Sequence, residues 1–385
     1  MSGPEPEVKR KVWITSDEFA KLVDLLPSNI GRQSLVMSLI KAFGLHLKCE
    51  STISIPMIHR SELESYHDSN FIDCLFRNRP NLDLQAEDED KISDQDLCEQ
   101  YGLSYDCYPF PFMREYVKIV ASSTIASAKT LIRERSEKHQ NVVINWYGGR
   151  HHCFKRKAAG FCYVNDIVLG ISHLRKSFGK VFYLDLDLHH GDGVENAYQF
   201  SKNVSTCSIH RYDLGFYPGT GSLESSTLGK YNIPTKKGLS DKSLMQIVEE
   251  IVLPIVLKFK PDVVVIQSGC DGLGTDSHGE WNLTIKGFTS VVEKLMQALS
   301  PIPILVLGGG GYNHIETAKC WTYLTRNVLQ VQEEWDLIPE HTMLDSYESS
   351  GFQFWTSENE APKRMKDENT NGYLRGLRES LLAII

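Results

Sequence analysis

The chain has 385 residues, 41% of them hydrophobic and 23% charged, with a formal net charge of −8. That composition fits a globular protein with a sizeable core, and the negative balance argues against a nucleic-acid groove while favouring approach of lysine-rich segments. Nine cysteines, none in a C-x-x-C pair, read as thiols of a reducing compartment and exclude a disulfide framework.

In chain order, residues 1–11 are polar and carry no apolar signal core, and Lys9-Arg10-Lys11 reads as solvated surface or a weak nuclear-import signal. Residues 35–47 have apolar side chains at helical spacing, and 61–76 read as another helix. Glu87, Asp88, Glu89, Asp90, Asp94 and Asp96 form an acidic stretch expected as a solvated loop. Pro109, Phe110, Pro111 and Phe112 precede a helix over about 114–135.

From Asn141 an apolar strand, a loop rich in functional side chains and a helix recur. Val142 to Trp146 leads into Gly148-Gly149-Arg150-His151-His152, and Val181 to Leu184 into Asp185-Leu186-Asp187-Leu188-His189-His190-Gly191-Asp192. Val263 to Gln267 leads into Gly269-Cys270-Asp271-Gly272, and Ile304 to Leu307 into Gly308 to Gly311 and Tyr312. Continuous Val/Ile/Leu strands separated by helices predict an α/β fold, a central and mainly parallel sheet with helices on both faces. In such sheets ligands bind beyond the carboxyl ends of the strands, so these loops should converge on one crevice. The run Ile251 to Leu257 contains Pro254 and falls far short of the ~20 residues of a membrane span, so no membrane association is expected. The chain reads as a single domain over 1–385, with a polar tail from about 346 that ends in a short helix.

The segment from Asp185 to Asp192 carries the most chemistry. Alternation along an extended chain puts Asp185, Asp187 and His189 on one face and Leu184, Leu186 and Leu188 on the other. Two carboxylates with an imidazole suit zinc or iron(II) better than calcium or magnesium, which prefer all-oxygen shells. Solvated acids at a strand end are the plainer reading, but ionisable groups beside apolar neighbours are costly to desolvate without a cation. Asp271, at its own strand end, is placed either to supply a third ligand or merely to form a turn. The tandem His151-His152 can provide a general base and an acid partner, with Asp185 and Asp192 available to fix the imidazole tautomers. Tyr312, after its glycines, can donate a hydrogen bond to a developing oxyanion.

Together with Tyr105-Asp106-Cys107, Gly160 to Asp166 and Pro218-Gly219-Thr220-Gly221, these motifs resemble the class I zinc-dependent histone deacetylases, from about Leu35 to Leu329. Ile144-Asn145-Trp146 and Phe352 to Trp355 look most like the fungal Hos-type branch, which is similar to the vertebrate class I member acting on cohesin. The resemblance implies an arginase/deacetylase-like three-layer fold and hydrolysis of acetyl-lysine on a histone tail or cohesin subunit, in nucleus and cytoplasm. It implies zinc on Asp187, His189 and Asp271, with iron(II) the alternative. His152 would act as base and acid, His151 would tune the site, Asp192 and Asp185 would orient the pair, and Tyr312 would polarise the acetyl carbonyl. Asp106, Gly160, Phe161, Tyr217 and His278 would contact substrate. One potassium ion would lie near Asp185, Asp187, His189, Ser208 and Ile209, and a second near Tyr198, Ser201 and Val204.

Several positions depart from the family pattern. Tyr217 stands where the tunnel aromatic is usually Phe, Tyr108 separates Cys107 from Pro109, Cys153 replaces a customary Ala, and Ser277 to Trp281 form an unusual rim. Ser277 also stands where complex-forming members carry an arginine for an inositol phosphate, so activity without a corepressor is expected. Competing readings are an acetylpolyamine amidohydrolase, a two-metal arginase-type hydrolase and an inactive scaffold that binds acetyl-lysine.

Overall fold

The computed structural model of the chain describes residues 9–77 and 96–385. Of the acidic stretch, Glu87 to Asp90 and Asp94 lie outside the described residues, and Asp96 is exposed. Eight strands form one sheet: β1 (Arg10–Thr15), β2 (Ser51–Ile53), β3 (Gln140–Asn145), β4 (Val181–Asp185), β5 (Val204–Arg211), β6 (Lys230–Thr235), β7 (Val263–Gln267) and β8 (Ile304–Leu307). Their order is β2-β1-β3-β8-β7-β4-β5-β6, and every pairing is parallel.

Alternation along the strands divides the core between the two faces. Val142, Ile144, Phe182, Leu184, Val264 and Ile266 join one buried cluster, with the helices Arg32–Ala42, Ile285–Ala298 and His314–Val328. Val143, Val181, Tyr183, Val263 and Val265 join the other, with the helix Asp166–Leu174 and the later turns of Met113–Arg133. The strands legible as apolar runs are β3, β8, β7 and β4, which are consecutive in the sheet, so their carboxyl-terminal loops open side by side.

The outer strands carry polar residues that nonetheless become buried. β5 is buried along its whole length although it contains Ser205, Thr206, Ser208, His210 and Arg211. β1 corrects the expectation of a polar terminus through residue 11. Arg10 starts the strand, is buried, and makes a forked ion pair with Glu293 at 2.7 and 2.8 Å.

The helix expected over 61–76 is two helices, Arg60–Leu63 and Ser69–Phe76. Asp68 breaks the pattern by capping the second, accepting Asn70 N–H at 3.1 Å, while buried His67 turns inward and accepts Asn165 N–H at 3.1 Å. The segment 35–47 is the helix Arg32–Ala42 followed, after Gly44 at φ 64°, by a 3₁₀ turn, Leu45–Lys48. The tail is more than a polar wrap: Tyr347 and Phe354 are buried, and the helix Asn371–Leu382 buries Leu374, Leu377 and Leu381. No helix among the described residues is long and apolar enough to cross a membrane.

Candidate active site

The β4 loop and the β7 loop bring Asp187, His189 and Asp271 together. All three are buried, and one ligand atom from each lies within 4.8 Å of the others; among the described residues no other group of His, Cys, Asp and Glu meets this description. His189 Nδ1 lies 2.9 Å from Asp271 Oδ2 and 3.4 Å from Asp187 Oδ1. Burial and the neighbouring Asp187 charge raise Asp271 to about 6, and burial opposes but the two carboxylates raise His189 to about 10. Two buried carboxylates facing one imidazole make a donor set that a divalent cation satisfies, so the cluster fits a metal ion.

The acids are held by donors of their own. Asp187 Oδ2 accepts Gln267 Nε2–H at 2.7 Å and Gly310 N–H at 2.9 Å, and Asp271 Oδ1 accepts Leu188 N–H at 3.0 Å. These contacts require close backbone approach at the glycines: a Cβ on Gly269 or Gly310 would sit 2.1 or 2.3 Å from Oδ2 of Asp187 or Asp271.

His151 and His152 come off β3 with rings 3.9 Å apart, each tied to a different carboxylate. His151 Nδ1 donates to Asp185 Oδ2 at 2.8 Å, and His152 Nδ1 donates to Asp192 Oδ1 at 2.7 Å. Because a carboxylate only accepts, each ring carries a proton on Nδ1. Their environments push them apart. Burial lowers His151, but Asp185 and Asp187 outweigh it and lift the ring to about 9; burial and then the His151 charge bring His152 down to about 4. The surroundings thus favour the protonated form of His151 and the neutral form of His152. Asp185 also accepts the Tyr183 hydroxyl at 2.6 Å.

Tyr312 lines the same narrow cavity as His151, His152, Phe161, Asp187 and His189, and its ring lies 5.7 Å from Phe161 and 4.9 Å from His278. Burial and the charges of Asp271 and Asp187 raise its phenol well above the ordinary range, keeping it a proton donor. Gly160, at φ 54°, packs so closely on His152 that a Cβ would meet its ring carbon at 2.3 Å. Asp106 Oδ2 accepts Gly160 N–H at 3.0 Å at the mouth.

Tyr217 stands between the surface and His152. It is 41% exposed, its ring sits 5.0 Å from His152, and it borders a groove with Glu99, Tyr105, Asp106 and Lys157. Ser208 pairs with Asp185 across β5 and β4, with Ile209 next to it. Tyr198, Ser201 and Val204 share the turn into β5, where Ser201 N–H donates to Tyr198 O at 2.8 Å and Val204 N–H to Ser201 Oγ at 3.0 Å.

Sequence reasoning did not single out Phe216, Gln267 or Asp276. Phe216 stacks on His189 at 5.4 Å and 8°. Gln267 is the polar end of an otherwise apolar strand, a signal that could have found it. Asp276 bonds both Tyr312 and His278. Two buried arginines also stand near Tyr312; Arg32 donates to Gly311 O at 2.9 Å, and burial beside Arg150 lowers its pKa to about 10.

Residues 26–328 match the histone deacetylase domain. The chain is 31% identical to histone deacetylase HOS1 of Saccharomyces cerevisiae, over 92% of this chain and 95% of that protein. It is 36% identical to histone deacetylase 8 of Xenopus tropicalis, over 87% and 88% of the two chains, and 33% identical to human histone deacetylase 1, over 92% and 70%. The parallel eight-stranded sheet covered on both faces is the arginase/deacetylase fold. By domain, by relatives and by architecture, the chain belongs to the histone deacetylase family and is a deacetylase-type hydrolase.

Proposed function

We propose that the chain hydrolyses the acetyl-lysine amide of protein substrates, a histone tail or a cohesin-type subunit, with zinc held by Asp187, His189 and Asp271 and iron(II) the alternative ion. The observation that carries this reading is the buried Asp–His–Asp cluster, whose Asp187 and His189 line one cavity with two imidazoles, each tied to its own carboxylate. The ion would supply Lewis acidity, polarising the amide carbonyl and making water a better nucleophile. His152, neutral and oriented by Asp192, takes the proton of the attacking water and returns it to the lysine nitrogen as the C–N bond breaks. His151 keeps its proton, and its charge, balanced by Asp185 and Asp187, favours the anionic transition state. The Tyr312 hydroxyl donates to the developing oxyanion.

At the mouth, Asp106 accepts backbone N–H groups of the substrate, while Gly160, Phe161, Tyr217 and His278 line the path of the lysine stem. Potassium ions near Asp185 and Ser208, and in the turn holding Tyr198, Ser201 and Val204, would brace the loops. Residues 1–385 act as one catalytic unit without a corepressor, with neither nucleic acid nor membrane as direct partner, in nucleus and cytoplasm. The test is acetate release by the purified chain, with metal analysis, from an acetyl-lysine peptide and from an N-acetylated polyamine. Peptide turnover with one divalent ion supports the reading; turnover of the polyamine alone, or of neither, overturns it.

A further inference from the structure

The glycines from Gly308 to Gly311 have no side chains with which to fix where Tyr312 points, so its position is set from outside. Gly310 N–H donates to Asp187 Oδ2 at 2.9 Å, Arg32 donates to Gly311 O at 2.9 Å, and Tyr312 N–H donates to Asp276 Oδ2 at 2.7 Å. Asp276 reaches further than the other two. Oδ2 also accepts Asn313 N–H at 3.2 Å, while Oδ1 accepts His278 N–H at 3.0 Å and His278 Nδ1–H at 2.9 Å. Its side chain is only 1% exposed, and Asn313 Nδ2 closes the loop pair by donating to Thr275 O at 3.0 Å. The imidazole so anchored lies 4.9 Å from the Tyr312 ring and 5.0 Å from that of His189.

We infer that Asp276 is the positioning residue for Tyr312, holding its backbone directly and its ring through the His278 imidazole. The inference rests on the deacetylase reading, in which Tyr312 touches the reacting carbonyl. A buried carboxylate with both oxygens bonded allows little rotation, and its donors come from the two loops whose relative placement sets the phenol against the cluster. A loop staple that served stability alone would use the same bonds but would not act through Tyr312.

The experiment is a double-mutant cycle. Asp276→Asn keeps the volume but turns an amide N–H₂ against backbone N–H groups. Since a misplacement of about 1 Å can cost about 10²-fold, we expect kcat to fall about 10–100-fold with KM changed less than about twofold. Metal content should match that of the wild-type chain. In a Tyr312→Phe background the same substitution should cost less than about twofold more. Equal losses in both backgrounds, or a loss confined to KM, would overturn the role. If Asp276→Asn does not fold, His278→Leu carries the test, because that side chain is 30% exposed and its removal leaves Asp276 on the Tyr312 amide. It should cost about 3–10-fold in kcat with Tyr312 present and less than about twofold in kcat with Phe there, any effect of opening the substrate path falling on KM in both; equal cost in kcat in both again overturns the role. Absence of wild-type turnover would overturn the deacetylase reading and this role together, whereas additive losses overturn the role of Asp276 alone.

Discussion

Replacing Gln267 by Leu tests whether the cluster owes its affinity for a metal to the groups behind it. Gln267 is fully buried and donates to Asp187 Oδ2 at 2.7 Å while accepting Gly269 N–H at 2.8 Å. Leucine has similar bulk, so little cavity forms, but Asp187 Oδ2 keeps only the Gly310 amide and Gly269 N–H loses its acceptor. A hydrogen bond to a charged group is worth roughly 1.5–3 kcal/mol, which corresponds to a loss of about 10–100-fold in metal affinity. Gln267→Glu should lose more, because it adds a like charge at the position of the lost donor. The assay is competition with a chromophoric zinc chelator at fixed pH, alongside a thermal melt. Wild-type affinity in Gln267→Leu, with the fold intact, would reduce that hydrogen bond to a packing feature with no part in holding the ion.

Two glycine substitutions make a matched pair. Gly160→Ala and Gly279→Ala both place a side chain at positive φ, 54° and 61°, at a backbone cost of about 1–2 kcal/mol each. Only Gly160→Ala drives a Cβ to 2.3 Å from the His152 ring, whereas Gly279 has nothing within 4 Å; turnover should therefore collapse in the first and persist in the second, and equal turnover would contradict the packing argument. Burial depresses His67 to about 4 from 6.5, so the unfolded chain binds this proton more readily than the folded one. Stability should then fall by roughly 3 kcal/mol as pH drops from above 6.5 to about 4, the penalty being complete below the folded value. Urea unfolding across that window should show a shallower fall for His67→Gln, and identical slopes would rule out His67 as the cause.

The parts of the fold visible in the sequence were those whose local pattern and final environment agree. Val263 to Ile266 and Ile304 to Leu307 are apolar because they lie in the middle of the sheet, covered on both faces. β1 and β5 were not visible, because Arg10, Ser205, His210 and Arg211 look solvated by type yet are buried, the two arginines with distant partners. For Arg10 that partner is Glu293, far along the chain. The helix over 61–76 was misread for a similar reason: its apolar spacing continues through His67, and the turn there depends on a contact with Asn165. At the candidate site, residues with distinctive chemistry in a short run were legible, whereas Asp276 and Phe216 matter through contacts across loops. How far along the passage Tyr217 stands was not legible, since it depends on how its loop packs on Gly160 and His152.

On the proposed function, hydrolysis depends on a metal held by Asp187, His189 and Asp271. That dependence is tested most directly by counting bound divalent ions per chain, and acetyl-lysine turnover, in the wild-type protein and in Asp187→Ala and His189→Ala. An ion and turnover are expected in the wild-type chain, and neither in a folded variant, because two remaining ligands compete poorly with water. Full occupancy in either variant would contradict it.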